Sequence, residues 1–210
     1  MKFVNTLKIG AAALSFIVTG TVSAQTITPA FEYVSGDTLS DSRPYTLGFS
    51  FNLAAAKTVN ALGYNTATLS RDQTVGLWSS TGTLLASTVI GTASTTVGNF
   101  SWESISALSL AAGDYVLAAT YTGGPFPTRL TGVTTAADYT YLTDLQDLGP
   151  GLNFPTLSTN GSYGTQGIGV ANLSFGMAGA VPEPASWALM IGGMGMVGGA
   201  LRRRTIAFAA

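Results

Sequence analysis

The chain has 210 residues, of which only 9 % are charged, and its formal net charge is −1. That length suffices for one well-buried core, and with a mean hydropathy of +0.36 the composition excludes a disordered chain. Histidine and cysteine are both absent, which excludes a disulfide framework, thiol chemistry, zinc sites built on His or Cys, and every Ser-His or Cys-His catalytic pair.

The first segment, Met1 to Ala24, sets Lys2 and Lys8 around the start of an apolar stretch from Ile9 to Val18 and closes on Val22-Ser23-Ala24. A basic start, a short apolar stretch and a small-residue exit describe a secretory signal peptide over 1–24, cut between Ala24 and Gln25. The apolar part is short for a membrane-spanning helix of ~20 residues.

Residues 25–180 form the exported body. Arg43, Lys57, Arg71 and Arg129 face nine carboxylates there, a net charge of −5 that makes nucleic acid and anionic membrane surfaces poor partners. Thr and Ser supply 41 of its 156 residues, a bias toward strands and turns. Leu47, Phe49, Phe51 and Leu53 alternate with polar or small residues, the two-residue period of a half-buried strand. Val75 and Leu77 repeat it, and Ser80-Thr81-Gly82 offers a hairpin turn into a strand over 83–90. Further strands are expected over 99–104, over 114–122 with Tyr115, Leu117, Ala119 and Tyr121 on one face, and over 167–175. In the last of these the apolar phase slips between Ile168/Val170 and Leu173/Phe175, which predicts a bulge near Ala171-Asn172. The stretch 123–166, with Gly123-Gly124-Pro125-Phe126-Pro127 and Gly149-Pro150-Gly151-Leu152-Asn153-Phe154-Pro155, reads as loop-rich and as a natural functional surface. No part of the body sustains a helical repeat. The expected fold is all-β: a single antiparallel two-sheet sandwich, jelly-roll-like or Greek-key, flanked by the N-terminal signal helix and a C-terminal hydrophobic helix.

Residues 181–204 hold Pro182-Glu183-Pro184, an uncharged stretch from Ala185 to Leu201, and Arg202-Arg203-Arg204, followed by a tail over 205–210. The uncharged stretch is at the lower limit of a transmembrane helix, and the three arginines would stay cytoplasmic by the positive-inside rule. Gly195 and Gly199 are also spaced as a helix-dimerisation pair. This tail resembles the PEP-CTERM sorting signal: a Pro-Glu-Pro motif, an apolar glycine-rich helix and a terminal arginine cluster. The resemblance implies a Gram-negative bacterium with an exopolysaccharide-associated system and an exosortase, a membrane transpeptidase-like enzyme, that cuts near Pro182, Glu183 and Pro184. From Phe31 to Tyr121 the runs Thr74-Val75-Gly76-Leu77-Trp78, Gly82 to Ala86, Trp102 and Leu110 to Leu117 resemble an uncharacterised bacterial extracellular β-sandwich family.

Candidate ligand-binding residues are Trp78, Tyr139 and Tyr141, whose flat rings suit the apolar side of a sugar; Trp102 is set aside for packing, as tryptophans in sandwich strands are usually buried. Asp138, Asp144 and Asp147, and Asp37 with Asp41, are hard oxygen ligands that Ca²⁺ would accept, although no D-x-D-x-D-G loop is present. No other cofactor is implied. Glu103 and Asp114 are the least unsuitable carboxylate pair for a glycosidase, Gly161-Ser162-Tyr163-Gly164 is not a nucleophile elbow, and Gly164 to Gly169 has the wrong glycine order for a dinucleotide site. The residues describe an exported, non-enzymatic surface or matrix protein. Its partners are the export machinery, an exosortase, the inner membrane transiently and exopolysaccharide, with a carbohydrate-binding module as the alternative role.

Overall fold

The computed structural model describes residues 26–159, 163 and 167–176. The predicted signal peptide, the cut between Ala24 and Gln25, the Pro182-Glu183-Pro184 motif, Arg202 to Arg204 and the Gly195/Gly199 pair all lie outside the described residues.

Among the described residues fourteen strands follow one another: β1 (Phe31–Glu32), β2 (Ser35–Asp41), β3 (Tyr45–Leu53), β4 (Lys57–Asn65), β5 (Gln73–Ser79), β6 (Leu84–Ile90), β7 (Thr95–Val97), β8 (Phe100–Leu110), β9 (Gly113–Tyr121), β10 (Gly124–Thr131), β11 (Thr134–Thr135), β12 (Tyr139–Asp147), β13 (Leu157–Ser158) and β14 (Ala171–Gly176). A six-stranded sheet has the order β13-β12-β3-β9-β5-β6 and a four-stranded sheet the order β14-β4-β8-β7. Two small ribbons, β1-β11 and β10-β2, complete the body. Every pairing is antiparallel. The two sheets stack as a sandwich, as the alternation of apolar residues requires.

β3 and β9 form the spine of the larger sheet, in register from Tyr45 opposite Tyr121 to Leu53 opposite Gly113. The odd-numbered side chains of both strands point into the core, where Leu47, Phe49, Phe51, Leu117 and Ala119 are buried. Phe31 bridges this layer to the smaller sheet, edge-on to Phe49 at 5.8 Å and to Phe100 at 5.5 Å. Offset and edge-to-face rings of this kind add directional packing to the hydrophobic term. The predicted hairpin forms at Gly82, whose φ of +91° is open to glycine at little cost. Ser79 N–H donates to the Thr83 carbonyl at 2.9 Å and closes it.

Two sequence expectations are corrected. Within 123–166 the part from Gly124 to Thr131 is strand β10, paired with β2, and Tyr139 to Asp147 is β12, paired with β3 along nearly its whole length, whereas Gly149 to Pro155 is loop as expected. Pro125 and Pro127 fit because the Pro127 carbonyl accepts Gly169 N–H on the side away from β2, so the prolines withhold no donor from their own ladder. The second correction concerns the last strand. It starts at Ala171, and its irregularity falls between Ser174 and Phe175, not at Ala171-Asn172. Ile168 and Val170 precede it, and the apolar phase slips because the chain enters the strand there.

The segment ahead of β1 runs beside β14, with Ala30 N–H donating to Leu173 O and Phe175 N–H to Thr28 O, both at 2.8 Å. The beginning and end of the described body are therefore neighbours, and Gly176 lies opposite Thr58 at the start of β4.

Candidate functional site

Trp78 lies on the outer face of the six-stranded sheet, the face opposite the main core. There it packs with Val116 and Ala118, and Leu145, Leu152 and Phe154 close over the group. The cover is a strap over residues 148–156, which crosses the sheet and is tied down at two points. Thr46, fully buried, donates its hydroxyl to Gly151 O at 2.9 Å and accepts Asn153 N–H at 3.0 Å. Asp147 accepts Gly149 N–H and the Asn153 side-chain amide, each at 2.9 Å. Phe154 then sets its ring 6.2 Å from Trp78, which is only 4 % exposed. As a sugar platform Trp78 is thus corrected: its ring is consumed by the strap. Trp102 is buried as well, with its indole N–H on Val97 O at 3.0 Å.

Tyr139 and Tyr141 sit on the inner face and do not meet Trp78. Tyr139 is buried among Phe31, Phe51 and Phe175, so it too is corrected as a platform. Burial displaces its phenol pKa strongly upward. Tyr141 is half-buried and packs on Phe49. Both line a cavity of about 10 Å³ with Phe31, Phe49, Thr135 and Ile168. That is room for about one water and none for a pyranose.

Beside this cavity lies a group that composition did not single out for its burial. Asp144 is 1 % exposed, and its Oδ1 accepts Ile168 N–H at 2.9 Å. The Tyr141 hydroxyl also bonds to it, while Oδ2 has no partner among the described residues. Gly167, at φ +67°, makes the approach possible: a Cβ there would lie 2.3 Å from Oδ1 and 2.4 Å from the Tyr141 oxygen. Burial raises the Asp144 pKa from 3.8 to about 6, against the lowering by its two hydrogen bonds. The sequence signal was present, since Asp144 occupies an inward position one residue past the β12 irregularity, but the irregularity itself could not be read.

The remaining carboxylates are structural partners. Asp138 pairs with Lys57 at 2.8 Å, Asp37 with Arg129 at 3.2 Å and Asp41 with Arg43 at 2.8 Å. Asp41 also accepts the Tyr45 hydroxyl at 2.5 Å, and the Arg43 and Tyr45 hydrogen bonds hold its pKa well below the usual carboxylate range. The structure does not bring Asp138, Asp144 and Asp147 together. Among the described residues no group of three acidic side chains is arranged to hold a metal ion. Glu103 and Asp114 stand on different sheets, the first accepting the Ser94 hydroxyl and the second the Asn52 amide. Among the described residues no helix is long and apolar enough to cross a membrane.

No curated protein and no solved structure matches the chain. Two family models do. The PEP-CTERM protein-sorting motif matches residues 180–204, so the tail that resembles that signal is one, and the protein is an exported substrate of an exosortase, held transiently at the membrane and sorted to the cell surface. The model described as a domain of unknown function, DUF4082, matches residues 33–170, and since that span takes in nearly the whole sandwich, the chain belongs to the DUF4082 family.

Proposed function

We propose that this protein is a non-enzymatic structural or adhesive module of the exopolysaccharide matrix of a Gram-negative cell. Its residues 1–24 are removed before Gln25, and its tail is cut near Pro182, Glu183 and Pro184. The sorting motif at 180–204 carries this reading, because it directs a rigid sandwich to the outside of the cell and leaves it there. The body supports the role. Its solvent-facing strand positions are largely Ser and Thr hydroxyls, which hydrogen-bond to polysaccharide as they do to water. Three of its carboxylates are engaged in ion pairs, Asp144 is shut inside the core, and Glu103 and Asp114 stand on different sheets, which supports a non-enzymatic reading.

Intact-mass measurement and fractionation of cells with and without exosortase activity test the proposal. Active cells are expected to yield a matrix-associated species that begins at Gln25 and lacks Trp187 to Arg204. Cells without the enzyme are expected to retain the tail and keep the protein in the membrane fraction. A mature matrix species that still contains the arginine cluster would sink the processing step.

A further inference from the structure

The four basic side chains among the described residues are unequally employed. Arg43, Lys57 and Arg129 each hold a carboxylate at 2.8 to 3.2 Å. Arg71 is exposed and makes no ion pair with any described residue. It lies on the rim of a wide, open surface cleft. The walls are the end of β2 with Ser42, the loop carrying Ser70 and Arg71, and the turn from Thr122 to Gly124. Gly123 and Gly124 have φ of +100° and +119°, a conformation open to glycine at little cost, and the Gly124 carbonyl is taken up by the Ser40 and Tyr121 hydroxyls. The charges around Arg71 do not cancel it: Asp41 is committed to Arg43 and Tyr45, and Asp72 lies against Gly91.

The cleft also has a defined direction. Gly176 stands opposite Thr58 and Ala171 opposite Tyr64, so the chain leaves toward its sorting motif at one pole, and β4 runs from there to the other. The cleft follows β4, about 20 Å away by the rise of a strand. The cleft thus lies at the pole opposite Gly176, the last described residue.

We propose that the Ser42, Ser70 and Arg71 cleft binds a sugar chain bearing anionic groups, with the guanidinium on a carboxylate or sulfate and the serine hydroxyls on ring hydroxyls. An unpaired guanidinium matches planar or tetrahedral anions by parallel N–H donors, and serine hydroxyls donate or accept as a sugar demands. The site deepens the matrix role proposed above and rests on it for its biological meaning.

The test is titration calorimetry on the detergent-purified full chain at low salt, with three probes: oligogalacturonate, a sulfated dextran oligosaccharide and neutral dextran of equal length. Binding of one or both anionic probes is expected, weakened at least tenfold in Arg71→Ala and in Ser42→Ala/Ser70→Ala, partly restored in Arg71→Lys, and unchanged in Arg129→Ala. The two anionic arms identify the charged group. Neutral dextran binding as well as the anionic probes, unaltered affinity in Arg71→Ala, or no binding of either anionic probe overturns the site. A wild-type chain and an Arg71→Ala chain equally retained in the matrix would overturn the cleft and keep the matrix role. Loss of both from the matrix, with the calorimetric result intact, would overturn the role and keep the cleft.

Discussion

The carboxylate of Asp144 accepts the backbone N–H of Ile168 at 2.9 Å, and this one bond ties strand β12 to the segment that leads into β14. The tie carries a charge into the core, where desolvation opposes ionisation more than two hydrogen bonds favour it. A carboxyl whose folded pKa is raised contributes stability that is fully present below its ordinary pKa of 3.8 and is lost as pH rises through about 6. One pKa unit is about 1.4 kcal/mol, so the full swing is on the order of 3 kcal/mol. Asp144→Asn keeps an acceptor for Ile168 and removes the charge. It is expected to raise the free energy of unfolding from denaturant titration at pH 8, by up to that amount, and to leave it unchanged at pH 4. An equal loss at both values would show that the carboxylate is not the titrating group.

Asp41 has the opposite sign. Its pKa is depressed by Arg43 and Tyr45, so its contribution is present above about pH 4 and is lost as the solution is acidified. Stability from these two groups is therefore expected to peak near pH 4, falling toward pH 6 as Asp144 ionises and falling on the acid side as Asp41 is protonated. Thermal melts of Asp41→Asn should be flatter than wild type below pH 4 and parallel to it above pH 6.

The strap depends on Trp78 and Thr46 for different reasons. Trp78→Ala removes the ring under Phe154 and opens a cavity, for which about 3 to 5 kcal/mol is the usual cost. Thr46→Val preserves shape and deletes both bonds to Gly151 and Asn153, at about 1 to 3 kcal/mol for the buried groups left unpaired. Limited proteolysis separates the two effects from general unfolding: both variants should be cut first within 148–156, before β3 or β9.

Gly63 lies under the Trp102 indole, and a Cβ there would stand 2.8 Å from the ring. Gly63→Ala is expected to cost about 1 to 3 kcal/mol by overpacking, and to change near-ultraviolet circular dichroism from the displaced tryptophan. Gly113→Ala, with open space at that position but φ at +146°, would instead be destabilising through backbone strain, with the aromatic signal intact.

These positions also show what could be read from the sequence. β3 was legible because one of its faces is wholly apolar and the residues between are Thr, Gly, Ser and Asn, and β9 because Tyr115, Leu117, Ala119 and Tyr121 keep one face although Val116 and Ala118 are buried on the other. β4 was not: Val59, Ala61, Leu62, Tyr64 and Asn65 are all buried, and a strand covered on both faces loses the alternation that would betray it. β10 was hidden by its prolines, which are harmless only because their nitrogens face away from β2. The burial of Trp78 depended on a strap seventy residues downstream, and such a long-range cover leaves no local pattern. The hydroxyl-rich surface and the sorting tail were legible throughout, since composition and motif order alone define them.

The pairing of β14 on both flanks has a mechanical consequence. It is clasped by β4 on one side and by residues 28–30 on the other, and the chain continues from its end toward the sorting motif. A pull along the strand through Gly176 meets all of those hydrogen bonds at once, in shear, so that they share the force and cannot be unzipped one by one. A module tethered in a flowing matrix through that end would yield abruptly and at high force, and single-molecule extension from the C-terminal side would read that resistance directly.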